Sequence, residues 1–157
     1  QSFEITNLID LRNDFKVKNK LVFLTSATGA PYDLSSTGDP RTYADLITPA
    51  GLAWLAKTVN GIGPEKIQVI PRDPTGNLGT PTTLVKDAHR ARLLVHPYTF
   101  RAENNFLPTN LKVGTEPSDY GRILDEMTAY LNTGIDGFFT DQADIGVLAR
   151  DQFVAAH

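Results

Sequence analysis

The 157-residue sequence has no cysteine, one methionine and one tryptophan. Without cysteine there are no disulfides and no thiolate metal ligands, and the cellular compartment stays open. No apolar run approaches the ~20 residues that cross a bilayer. Nor does one sign of charge dominate: 15 Lys and Arg against 18 Asp and Glu leave a net charge of −3, which gives no reason to expect nucleic acid or an anionic membrane as partner. A methionine start, a basic leader and a small-residue cleavage site are missing too, and Gln1 already stands in an apolar segment. No repeat, low-complexity tract or linker divides the chain. What is present is ordinary for a globular domain: 41% apolar and 21% charged residues. A chain of this length can bury roughly two-thirds of the surface its unfolded form exposes.

Strand and helix signals alternate. Residues 1–5 read as the end of a strand, and Leu8, Leu11 and Phe15 share one face of a short helix. Within 20–25 the run Leu-Val-Phe-Leu is too short for a buried helix and suits a strand covered on both faces. Residues 26–47, with Gly, Pro, Ser, Thr and Asp, read as a long excursion loop in which Asp39 and Asp45 flank Arg41 as solvated charge. Thr48-Pro49 places an oxygen-bearing cap before a first-turn proline. Leu52, Leu55, Ala56 and Val59 form the stripe of that helix, and Gly61 is placed to end it. Gly61-Ile62-Gly63-Pro64 reads as a very short strand. Thr80-Pro81 repeats the helix-start pattern, with Leu84, Val85 and Ala88 facing inward. A strand over 92–99 follows, then the clearest helix, 119–133, with Ile123, Met127, Tyr130 and Leu131 in register. A strand over 137–140 and a helix over about 144–155 complete the series. This alternation predicts a parallel sheet of βαβ units. A (β/α)₈ barrel takes about 250 residues, so the chain holds about four βα units, half of one.

Two apolar runs end in polar clusters, Val95-His96-Pro97-Tyr98-Thr99-Phe100-Arg101 and Ile135-Asp136-Gly137-Phe138-Phe139-Thr140-Asp141. The carboxyl ends of parallel strands are where α/β barrels place chemistry. His96 and Tyr98 are two apart and share a side of the strand. If that side is the barrel interior, Tyr98 reaches the pocket and His96 lies a layer lower, as a hydrogen-bonded core residue rather than a catalyst. Arg101 is placed either to hold a phosphate or glycerol oxygen or to form a surface salt bridge. Asp141 is placed to touch the pocket or to cap the final helix. Glu4, Asp136, Asp141 and Asp144 are the carboxylates a metal would need, with local pairing the simpler role for Asp136. His89 sits beside Lys86 and Arg90 on a solvated helix face, and His157 is terminal.

These blocks resemble the glycerophosphodiester phosphodiesterases, specifically the larger periplasmic or secreted type. Gln1-Ser2-Phe3 is similar to that family's fifth-strand motif, and Gly61-Ile62-Gly63-Pro64 to the stretch before its penultimate crossover helix. The blocks ending in Arg101 and Asp141 are similar to the seventh- and eighth-strand motifs. One departure is that relatives continue Thr-Asp with Pro-Asp, where Gln142-Ala143-Asp144 stands here. The resemblance implies an α/β chain forming the second half of a TIM barrel, with residues 1–157 as its carboxyl-terminal half. The intact enzyme would hydrolyse a small-molecule glycerophosphodiester to an alcohol and glycerol 3-phosphate with Ca²⁺ or Mg²⁺, in the periplasm or outside the cell. The family's His-Arg-Gly, Glu-x-Asp, His-Asp and Glu-x-Lys segments, which carry its histidines and metal carboxylates, do not occur in this sequence. No catalytic residue and no metal ligand is therefore expected in this chain. Phe3, His96, Tyr98, Arg101 and Asp141 would form substrate-pocket wall. A half-barrel would also leave Val22, Leu24, Val95 and Phe139 without an opposing layer, so it would pair with an amino-terminal half or with itself. The other reading is a non-catalytic half-barrel serving as a scaffold or interaction module.

Overall fold

The branched and aromatic residues of the first apolar run form β1 (Val22–Thr25), which pairs in parallel with β2 (Gly61–Pro64). In turn, β2 pairs in parallel with β3 (Leu94–Val95), giving the order β1-β2-β3. These relations come from a computed structural model that describes residues 1–156; His157 lies outside the described residues. The chain begins beside β1, where Ser2 makes a single parallel bridge to Phe23. At the far edge, Asp136 N–H donates to the Val95 carbonyl and Phe139 N–H to that of Pro97, so residues 136–140 run alongside residues 95–100. Among the described residues this fourth segment builds no continuous ladder beyond the isolated Phe100–Thr140 bridge, and the strand predicted over 137–140 does not form.

Two prolines explain why the ladder is broken. His96 N–H donates to the Ile62 carbonyl and Tyr98 N–H to that of Pro64, so the main chain stays aligned well past Val95. Pro64 has no N–H to return a bond, and Pro97 has none to offer the fourth segment. The strand predicted over 92–99 therefore shortens to two regular residues.

Alternation along the strands sorts the side chains into two faces. Phe23, Ile62 and Val95 are adjacent in register and fully buried. They join one core with Leu8 of α1 (Ile5–Asn13), Leu52 and Leu55 of α4 (Pro49–Leu55), Ala88 of α6 (Leu84–Arg90) and Met127 of α7 (Ile123–Leu131). The opposite face carries Val22, Leu24, Gly63, Leu94 and His96, of which Val22, Leu94 and His96 are only half-buried. Leu24 lies over Gly63, where a Cβ would meet its side chain. Val95 thus belongs to the helix side and not to the open face, contrary to its expected placement.

Other boundaries differ for local reasons. α1 starts at Ile5, and Phe15 stands beyond its end, 73% exposed. The excursion loop holds two short helices, α2 (Tyr32–Ser35) and α3 (Tyr43–Leu46). The latter starts with a capping box in which Thr42 and Asp45 bond reciprocally. Thr48 caps α4 as predicted, accepting from Gly51 N–H at 3.1 Å. Gly61 begins β2 instead of ending α4, because Ala56 already closes that helix. A short α5 (Lys66–Val69) follows β2 directly. α6 begins at Leu84, not after Thr80-Pro81. The nearby hydroxyl of Thr82 is spent on the Gln68 carbonyl at 2.8 Å. α7 begins at Ile123 because Asp119 is engaged upstream, its carboxylate accepting from Glu116 N–H. α8 (Ala143–Ala156) ends the described chain. These strands and helices make an α/β arrangement with part of a parallel sheet.

Candidate functional site

A cavity of about 1080 Å³ opens beyond the carboxyl ends of the strands, the position at which open and closed parallel sheets both bind ligands. Its wall comes from the residues after β1 (Ala27), after β2 (Glu65, Lys66 and Gln68), after β3 (Tyr98, Thr99 and Arg101) and from Asp141. Arg72, Asn105 and Phe106 close another side.

The three strand ends are stitched together by side chains. The Thr25 hydroxyl donates to Gln68 Oε1 at 2.8 Å, and that oxygen also accepts from Glu65 N–H at 3.0 Å. Gln68 Nε2 donates to the Ser26 carbonyl at 3.0 Å, and Ala27 N–H donates to the Glu65 carboxylate at 2.9 Å. The Tyr98 hydroxyl donates to the Thr25 carbonyl at 3.1 Å, and burial raises its pKa above the ordinary phenol value. Phe3 meets the Tyr98 ring edge-on at 5.8 Å between centroids, and its own carbonyl accepts from the Tyr43 hydroxyl. Phe3 therefore supports Tyr98 from behind and is not part of the cavity lining.

The opposite wall is ionic. Lys66 Nζ, 7% exposed as a residue, lies 2.9 Å from both oxygens of the fully buried Glu126 and donates to the Phe106 carbonyl at 3.2 Å. Desolvation dominates both members, lowering the Lys66 pKa and raising that of Glu126. The Tyr130 hydroxyl donates to the carbonyls of Lys66 and Ile70, and burial pushes its pKa up. Arg72 donates through Nη2 to the Phe106 carbonyl at 2.6 Å and through Nη1 to that of Leu107. Arg101 stacks over the Phe106 ring at 4.0 Å and pairs with Glu103 at 2.8 Å and Asp141 at 3.3 Å. The Glu103 hydrogen bond is the main cause of the raised Arg101 pKa.

Of the five residues predicted as pocket wall, Tyr98, Arg101 and Asp141 meet at this cavity. His96 lies off it, its ring 6.4 Å from that of Phe139 and against the backbone of Gly137. His89 is exposed on α6, as expected, and its Nε2 lies 2.9 Å from Asp136, which also accepts from Val95 N–H at 2.8 Å. Glu65, Lys66, Gln68, Arg72 and Glu126 were not anticipated. Glu126 carried a signal, standing three residues after Ile123 and four before Tyr130 on the buried stripe of α7. Among the described residues no group of three or more His, Asp or Glu could hold a metal ion. The side chains present do not fit a divalent cation by themselves.

A family model described as "Glycerophosphoryl diester phosphodiesterase family" matches residues 1–145. Over 142 residues the chain is 36% identical to "Glycerophosphodiester phosphodiesterase GDPD6" of Arabidopsis thaliana. That alignment covers 90% of this chain and 34% of the relative, so the chain spans about a third of the length of the curated protein it matches.

Proposed function

The chain belongs to the glycerophosphoryl diester phosphodiesterase family, and we propose that it supplies the carboxyl-terminal half of a (β/α)₈ barrel that hydrolyses glycerophosphodiesters. The observation that carries this reading is the cavity at the carboxyl ends of three parallel strands, together with the family match along the residues that line it. Water adds to phosphorus, the bond from phosphorus to the alcohol oxygen breaks, and the departing oxygen takes a proton. The products are an alcohol and glycerol 3-phosphate.

In this reading the present residues bind and shape. Tyr98, braced by Phe3 and tied to Thr25, forms a rigid aromatic wall. Arg101 and Asp141 form the polar rim beside it. Proton transfer, activation of water and a divalent ion (Ca²⁺ or Mg²⁺) belong to residues outside this chain. Those residues would sit on an amino-terminal half-barrel that covers the half-buried face bearing Val22, Leu94 and His96. By the same resemblance the enzyme works in the periplasm or outside the cell. The test is to express residues 1–157 together with whatever coding sequence adjoins them and to assay glycerophosphocholine, glycerophosphoethanolamine and glycerophosphoinositol with Ca²⁺ or Mg²⁺. Release of glycerol 3-phosphate is expected; failure to hydrolyse any glycerophosphodiester overturns the reading.

A further inference from the structure

The cations on the cavity wall are not equivalent. Lys66 is matched by Glu126, with both carboxylate oxygens at 2.9 Å. Arg101 lies between two carboxylates, Glu103 at 2.8 Å and Asp141 at 3.3 Å. Arg72 has none: among the described residues no Asp or Glu forms an ion pair with it. Its partners are the uncharged carbonyls of Phe106 and Leu107. A guanidinium carries more N–H donors than two carbonyls consume. The carbonyls also fix its plane and spare it the entropy of ordering when a ligand arrives.

We propose that Arg72 is the anion anchor of this cavity, donating its remaining N–H groups to the phosphate of the substrate and of the phosphomonoester product. The inference rests on the phosphodiesterase reading for the ligand's identity, but the charge imbalance stands apart from it. A guanidinium fork matches a pair of phosphate oxygens. Arg101 would bring two carboxylates close to the same anion, and those repel it. The phosphate therefore lies toward the Phe106–Leu107 side of the cavity, and Tyr98 and Glu65 are left to face the alcohol.

The experiment uses the full-length protein in wild-type, Arg72→Lys and Arg72→Gln forms, with arginine labelled at Nε. Titration with glycerol 3-phosphate is expected to shift the Arg72 Nε–H signal of the wild type, and titration with glycerol is not. Inhibition by glycerol 3-phosphate is expected to weaken about tenfold or more in Arg72→Gln, with Arg72→Lys intermediate, while KM rises and kcat changes little. If Arg72→Gln does not fold, Arg72→Lys and the wild-type titration decide between the outcomes. An unmoved Arg72 signal at saturating glycerol 3-phosphate, or unchanged inhibition in a folded variant, overturns the proposal. If the signal shifts but no glycerophosphodiester is hydrolysed, the anion site stands and the proposed reaction falls.

Discussion

The Tyr98 hydroxyl hydrogen-bonds the main-chain carbonyl of Thr25 at 3.1 Å, joining segments that lie on either side of β2. A side chain at the end of one strand thus reaches over its neighbour to the next but one. Because the acceptor is main chain, the bond fixes the ring and not merely a rotamer of a partner. Tyr98→Phe keeps the ring and loses the bond. It is expected to cost about 0.5–1.5 kcal/mol and, on the proposed function, to leave kcat/KM close to wild type. Tyr98→Ala removes the wall and should lower kcat/KM by about tenfold or more. Equal activities for the two variants, measured beside their melting temperatures, would remove Tyr98 from the pocket.

Arg101→Ala is expected to lower kcat/KM with little change in melting temperature. The Glu103 pair that it breaks is partly exposed, and solvent screens such pairs so that they add little to stability. Normal kinetics in that variant would assign Arg101 to the scaffold.

Residues 1–157 alone should show no phosphodiesterase activity. They hold none of the family's paired histidines, and among the described residues no carboxylate cluster fits a cation; general acid–base catalysis alone is worth about 10²–10⁴-fold. Turnover of glycerophosphocholine by purified residues 1–157, surviving controls for host enzymes, defeats this expectation.

The Lys66–Glu126 pair should behave asymmetrically. Removing one partner strands the other without water, costing about 3–5 kcal/mol, whereas Lys66→Met with Glu126→Leu should cost far less or stabilise. The pH dependence has a defined sign. Glu126 has its folded pKa raised above 4.5, so the folded state holds the extra proton and stability falls as pH climbs from that value toward the raised one. Lys66 has its folded pKa lowered from 10.5, so the unfolded state holds the extra proton and stability rises as pH climbs from the lowered value to 10.5. Melting curves of wild type against the double variant should therefore show the wild type at its relative worst between these windows. A relative maximum there would mean that pairing outweighs desolvation.

Residues 1–157 in isolation should self-associate or aggregate. Its open sheet face carries half-buried Val22, Leu94 and His96, and Phe3 is 39% exposed. Covering such side chains is worth up to about 1.5–3 kcal/mol each, in a domain whose whole stability is about 5–15 kcal/mol. A well-folded monomer at micromolar concentration, by light scattering, would show that this face needs no cover.

Much of the fold was legible because it depends on local pattern. Thr48-Pro49 marks α4, the apolar stripe marks α7, and Leu-Val-Phe-Leu marks β1. Boundaries failed where a proline or a distant partner decides them. Pro64 and Pro97 cut ladders whose main chain remains aligned, a fact about neighbouring strands and not about either strand alone. The site divides in the same way. Tyr98, Arg101 and Asp141 stand at visible strand ends, whereas Lys66 and Arg72 acquire their roles only when the segment 101–111 folds back over α5.

Besides the buried side chains of Asn104 and Leu107, that segment is held by cations reading main-chain carbonyls. An attachment of this kind is indifferent to what the loop displays. The exposed Asn105 and the cavity-lining Phe106 can therefore be exchanged while the loop keeps its seat. That gives the cavity a replaceable lining on a fixed mount, and a library of variants at Asn105 and Phe106 should retain foldedness far more often than one of equal size at Lys66 and Glu126.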